Sequence, residues 1–126
     1  MIYFLTFSTY GTHLPGDSRG SIHLQVHQGP QRKLMTEPAY RLERAADRAA
    51  VLETIIEVCR HREWRLIAPH VRAEHVHGVV HVECVSPSRV PGDGKSYSSR
   101  ALRKLSPGRK NFWTVGGDVR RCQGRD

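Results

Sequence analysis

The chain has 126 residues, of which 38% are hydrophobic, and a formal net charge of +8 at neutral pH. That length predicts a single domain, residues 1–126, with one core and excludes two. No run of about 18 apolar residues occurs, which excludes a membrane-spanning helix. The opening Met1-Ile2-Tyr3-Phe4-Leu5 has no basic leader and no small-residue cleavage site, so a cytoplasmic location is expected.

The charge is uneven. Residues 1–85 hold ten Lys and Arg against nine Asp and Glu, whereas residues 86–126 hold ten against three. A basic block is often just a solvated face, but here it follows a candidate metal site and so favours a polyanion, nucleic acid above all. Cys59, Cys84 and Cys122 are odd in number and in no metal-ligand spacing, which fits a reducing compartment.

Taken in order, Tyr3-Phe4-Leu5-Thr6-Phe7-Ser8-Thr9-Tyr10 has strand composition. Turn residues from Gly11 to Gly20 and irregular polar sequence to about Met35 predict a long loop. Thr36-Glu37-Pro38 reads as a helix entry with Thr36 as cap. From there Leu42, Ala45, Ala46, Ala49, Leu52, Ile55, Ile56 and Cys59 recur at helical spacing, with Asp47 among the charged residues of the other face.

Trp64–Val71 and His75–Val85 read as two strands of a hairpin, joined around Arg72-Ala73-Glu74. Ser96–Leu105 suits a second helix with Tyr97, Ala101, Leu102 and Leu105 inward, its start obscured by Pro91 and the nearby glycines. Asn111-Phe112-Trp113-Thr114-Val115 predicts a short last strand, and 118–126 is too short and polar to build much. The order gives an α+β, ferredoxin-like βαββαβ fold: an antiparallel sheet with two helices on one face.

Within that plan the informative stretch is Glu74-His75-Val76-His77-Gly78-Val79-Val80-His81. Alternate residues of a strand share a face, so His75 and His77 project together, about 7 Å apart along the strand. Such a pair is sometimes only a polar face; it is also a spacing at which two imidazoles reach one divalent cation. A histidine-triad hydrolase would need a third histidine at position 79, which is Val. The paired HxT or HxS motifs of two-histidine phosphoesterases are absent too.

Four stretches, in order, resemble the REP-associated tyrosine transposases, a branch of the HUH single-strand DNA endonucleases close to the insertion-sequence transposases. They are Leu5–Gly20, where the family more often has tryptophan at the place of His13; Cys59-Arg60-His61-Arg62-Glu63-Trp64; Val71–His77; and Lys95–Arg103. The resemblance implies single-stranded or hairpin DNA as partner and Mg²⁺ or Mn²⁺ held by His75 and His77. It also implies cleavage and rejoining through a phosphotyrosine. It leaves monomer and homodimer both open.

In the family the nucleophilic tyrosine, with a glutamine that helps hold the metal, lies on a helix after the last strand. That helix would fall beyond Asp126, and no matching helix surrounds Gln123. The resemblance therefore implies a catalytically impaired copy, with Tyr97 the remaining, weaker candidate nucleophile and packing its ordinary role. Arg19, Lys95, Arg100, Arg103, Arg120 and Arg121 are the candidate DNA contacts. The rival reading is a non-catalytic nucleic-acid-binding module on the same fold, gripping bases with aromatics and phosphates with basic residues.

Overall fold

The computed structural model describes residues 1–12, 36–83 and 85–122, so the long loop expected before Met35 lies outside the described residues, as does Cys84. The elements are β1 (Ile2–Ser8), α1 (Ala45–Arg62), β2 (Arg65–Leu66), β3 (His70–Val71), β4 (His75–His81), α2 (Arg89–Leu105) and β5 (Asp118–Arg121). All pairings are antiparallel, in the order β2-β4-β1-β5, with β3 pairing β4.

β2 and β3 together are the expected Trp64–Val71 strand, interrupted near Pro69, which has no N–H for the ladder. The amide of Ile67 still bonds the Val79 carbonyl at 2.7 Å, and Arg72 N–H closes the hairpin on His75 O at 2.8 Å. Counted as one strand, the pair restores the βαββαβ order.

Both helices cover the sheet face that carries Leu5, Phe7, Val76 and Val80. Their contribution includes Val51, Ile55 and Cys59 from α1 and Val90 and Leu102 from α2. Burial pushes the Cys59 thiol up to about 11, so it is an inert core residue. No helix among the described residues is long and apolar enough to cross a membrane.

Four expectations are corrected. Thr36 does not cap a helix: α1 begins at Ala45 and residues 36–44 are irregular. The proline at 38 disfavours helical backbone at Glu37, whose carboxylate instead accepts the amides of Lys110 (2.9 Å) and Asn111 (2.7 Å). Tyr40 and Leu42 amides bond the Tyr10 and Ala73 carbonyls, and Leu42 is sealed in the core without being helical.

The buried stripe of α1 is Asp47, Val51, Ile55 and Cys59, a spacing of four, while Ala45, Ala46, Ala49 and Ile56 are exposed. Asp47 tolerates burial because Arg44 grips both its oxygens, at 2.8 and 3.1 Å. The helix stops where Glu63 turns left-handed (φ 63°) and Trp64 N–H bonds Cys59 O, which satisfies a terminal carbonyl.

α2 starts seven residues before the expected Ser96. Pro91 sits in its first turn, where the missing N–H has no helical partner to lose. Its buried stripe is Val90, Pro91, Gly94, Ser98 and Leu102, which turns Tyr97 and Leu105 outward rather than inward.

Lastly, Asn111–Val115 contributes only a Thr9–Trp113 bridge, and the sheet's last strand is the polar Asp118–Arg121. An edge strand needs one partner only, and charged side chains are usual on it.

Candidate metal and nucleic-acid site on the open face of the sheet

β4 alternates: Val76, Gly78 and Val80 are buried toward the helices, while His75, His77, Val79 and His81 lie half-buried on the opposite, open face. Placed mid-sheet between β1 and β3, the strand holds these side chains on rigid backbone. The His75 and His77 rings are nearly parallel (16°), with centroids 5.7 Å apart.

Residues directly opposite across strands share a face. His77 faces Thr6 on β1 and His70 on β3, and Thr6 in turn faces Asp118 on β5. One row, His70, His77, Thr6, Asp118, thus crosses four strands. The flanking pairs are Ser8 with His75, Phe4 with Val79 and Arg120, and Arg65 with His81.

Thr6 Oγ1 lies 3.2 Å from His77 Nδ1. With the proton on Nδ1 and the hydroxyl accepting, Nε2 keeps its lone pair for a ligand. Burial pushes the His77 pKa below its ordinary value, and the neighbouring His70 and Arg72 add to the effect, so the ring stays neutral near pH 7.

The donor set fits a divalent cation in part. Metal–nitrogen bonds of about 2.1 Å allow two rings at this spacing to turn toward one ion between them. Among the described residues no group of three His, Cys, Asp or Glu side chains is arranged to hold a metal. The described residues therefore offer two imidazoles, leaving room for water or a bound anion in the coordination shell.

Three of the four tyrosines lie away from this face, and the hydroxyl of the fourth, Tyr10, is held by a backbone amide. Tyr3 faces Val80 and Arg121 and packs on the core side. Tyr10 accepts the Thr36 amide through its hydroxyl, and Tyr40 packs edge-on against Phe112 at 4.9 Å. Tyr97 lies on α2, on the helical side of the sheet, with the Arg100 guanidinium 5.0 Å from its ring.

The basic candidates separate. Arg120 stands on the open face opposite Phe4, whereas Arg121, opposite Tyr3, points to the helical side. Arg100 and Arg103 are exposed on α2, across the sheet from the histidines, and Arg103 stacks over Phe112. Lys95 serves the fold: its half-buried ammonium donates to the carbonyls of Thr114 (2.9 Å) and Gly116. Arg19 and Gln123 lie outside the described residues.

Phe4, Thr6 and His70 were not singled out from the sequence. Strand alternation places Phe4 and Thr6 together, and a hairpin closing at Arg72–Glu74 sets His70 against His77; both signals were present.

The family model described as Transposase IS200 like matches residues 30–124. A solved structure of a proposed transposase from Deinococcus radiodurans R1 shares the fold with a TM-score of 0.62 at 12% identity, over 98% of this chain and 79% of that one. A second, a REP-associated tyrosine transposase bound to a REP hairpin, has a TM-score of 0.56 at 16% identity over 98% of this chain. This chain spans 56% of that protein's length. No curated protein sequence matches significantly. The family match covers three quarters of the sequence and the fold agrees with it, so the chain belongs to the IS200-like transposase family.

Proposed function

We propose that the protein binds single-stranded or hairpin DNA, with His75 and His77 holding Mg²⁺ or Mn²⁺ against a backbone phosphate. The observation that carries this reading is the pair of near-parallel imidazoles on one open face of a central strand. The hairpin in the second structural neighbour supports the choice of DNA.

When bound, the cation would act as Lewis acid and template for the phosphate. The chain's own residues do the rest: low basicity keeps His77 a neutral ligand, Thr6 orients its ring, and Arg120 supplies positive charge on the same face. Because Tyr3, Tyr40 and Tyr97 lie away from that face and the Tyr10 hydroxyl is held by the Thr36 amide, the covalent step is impaired with these residues alone, and the retained activity is cation-assisted binding.

Fluorescence anisotropy with a labelled DNA hairpin tests this. Mn²⁺ should tighten binding, EDTA should loosen it, and His75→Ala with His77→Ala should abolish the difference. Binding indifferent to chelator would instead favour a cation-free nucleic-acid module. A covalent protein–DNA band on a denaturing gel would refute the impairment.

A further inference from the structure

β1 sends Leu5 and Phe7 into the core and leaves Phe4 on the open face, 40% exposed. Its ring runs nearly parallel to that of His77, with centroids 6.0 Å apart and planes 20° apart. His77 stands in the same relation to His75, so three rings line up along the face. On the other flank β5 places Arg120 directly opposite Phe4; its Nε pairs with Asp118 at 2.9 Å, and its side chain is 76% exposed.

A lone exposed phenylalanine is ordinary. One aligned with two imidazoles, beside a guanidinium on the next strand, is the combination that grips single strands: a π-face for the base and a cation for the phosphate. The charge argues against an apolar peptide as occupant. Arg65 and Arg120 border the face on opposite sides; of the nearby carboxylates, Asp118 pairs with Arg120 through Nε alone and Glu83 lies against His81.

The geometry points to Phe4 as the stacking platform for a nucleobase of single-stranded DNA, next to the phosphate that His75 and His77 hold. This rests on the DNA-binding reading above and adds the residue that grips a base. Since every base has a π-face, the platform fixes where the strand lies more than which base it carries.

Anisotropy titrations in Mn²⁺ with a labelled single-stranded oligonucleotide test it on Phe4→Tyr, which keeps the ring, on Phe4→Leu, which keeps an apolar side chain without a π-face, and on Phe4→Ala. Phe4→Tyr should bind within about twofold of wild type, and Phe4→Leu and Phe4→Ala about tenfold more weakly. An oligonucleotide carrying one abasic position should show a similar loss at a single site with wild type and no further loss there with Phe4→Leu. If Phe4→Ala does not fold, the Leu and Tyr pair decides alone. Wild-type affinity in Phe4→Leu, with Mn²⁺-dependence intact, overturns the stacking role only. Failure of the wild type to bind any oligonucleotide overturns this inference together with the DNA-binding reading.

Discussion

Thr6 and His77 meet across the central strand pair, hydroxyl oxygen to Nδ1 at 3.2 Å. A ligand histidine whose second nitrogen is held in this way keeps one tautomer and one ring direction, and losing such a partner commonly weakens metal affinity about 10- to 100-fold. Thr6→Val, nearly isosteric, should lower Mn²⁺ affinity by about tenfold with little change in thermal stability. Isothermal titration with Mn²⁺ measures the first and a melting curve the second; unchanged affinity would remove Thr6 from the site.

Arg120 and Arg121 are neighbours in sequence on opposite faces of an edge strand. If DNA lies on the histidine face, Arg120→Ala should weaken oligonucleotide binding several-fold and flatten its salt dependence by about 0.7 in log–log slope, as expected for one lost phosphate contact to a single strand. Arg121→Ala should do much less. Equal effects would place the DNA elsewhere.

Glu37 clamps a segment 73 to 74 residues away, and the Lys110 amide is the main reason its carboxyl is held below the ordinary value of 4.5; the Asn111 amides and Arg109 add to it. Because the folded state prefers the ionised form, the clamp's stabilisation is complete above that ordinary value and fades as pH falls through the lowered one. The melting temperature of Glu37→Gln should therefore lie below wild type at pH 7, and the gap should narrow in acid. A gap that widens in acid would contradict this assignment.

Gly78 lies mid-strand beside a small apolar cavity of about 20 Å³. A Cβ there would meet Leu5 and Leu66 methyls at 3.8 Å, ordinary contact distance. Gly78→Ala should stabilise by about 0.5–1 kcal/mol through lower unfolded-chain entropy and added packing. Urea titration measures it, and destabilisation would mean that the strand needs glycine for another reason.

The histidine pair was legible because period-two alternation in a Val-rich run leaves one way to arrange it: Val76 and Val80 must go inward, so His75 and His77 go outward. Element ends were less so. Thr36-Glu37-Pro38 carries every local mark of a helix start, yet amides from a distant loop claim the Glu37 carboxylate, and no window of sequence contains that competition. Pro91 and Gly94 argue locally against a helix; a first-turn position accommodates the proline, and close approach to Phe7, 3.5 Å from a would-be Cβ, suits the glycine. Asp118–Arg121 has no hydrophobic signature, because a strand paired on one edge to β1 buries little beyond part of Val119. Trp64 and Trp113 are core residues, and the exposed ring on the histidine face is Phe4.

The contact between residues 6 and 77 spans 71 positions of sequence. During synthesis, β1 emerges long before the strand that completes it, and the hairpin of β3 and β4 can close locally without it. The imidazole pair thus gains its orienting hydroxyl only once that long loop has been shut, a step that costs chain entropy before any reward. If these rings capture an ion, capture at full strength would then report a finished molecule, and a nascent or partly unfolded chain would hold that ion more weakly.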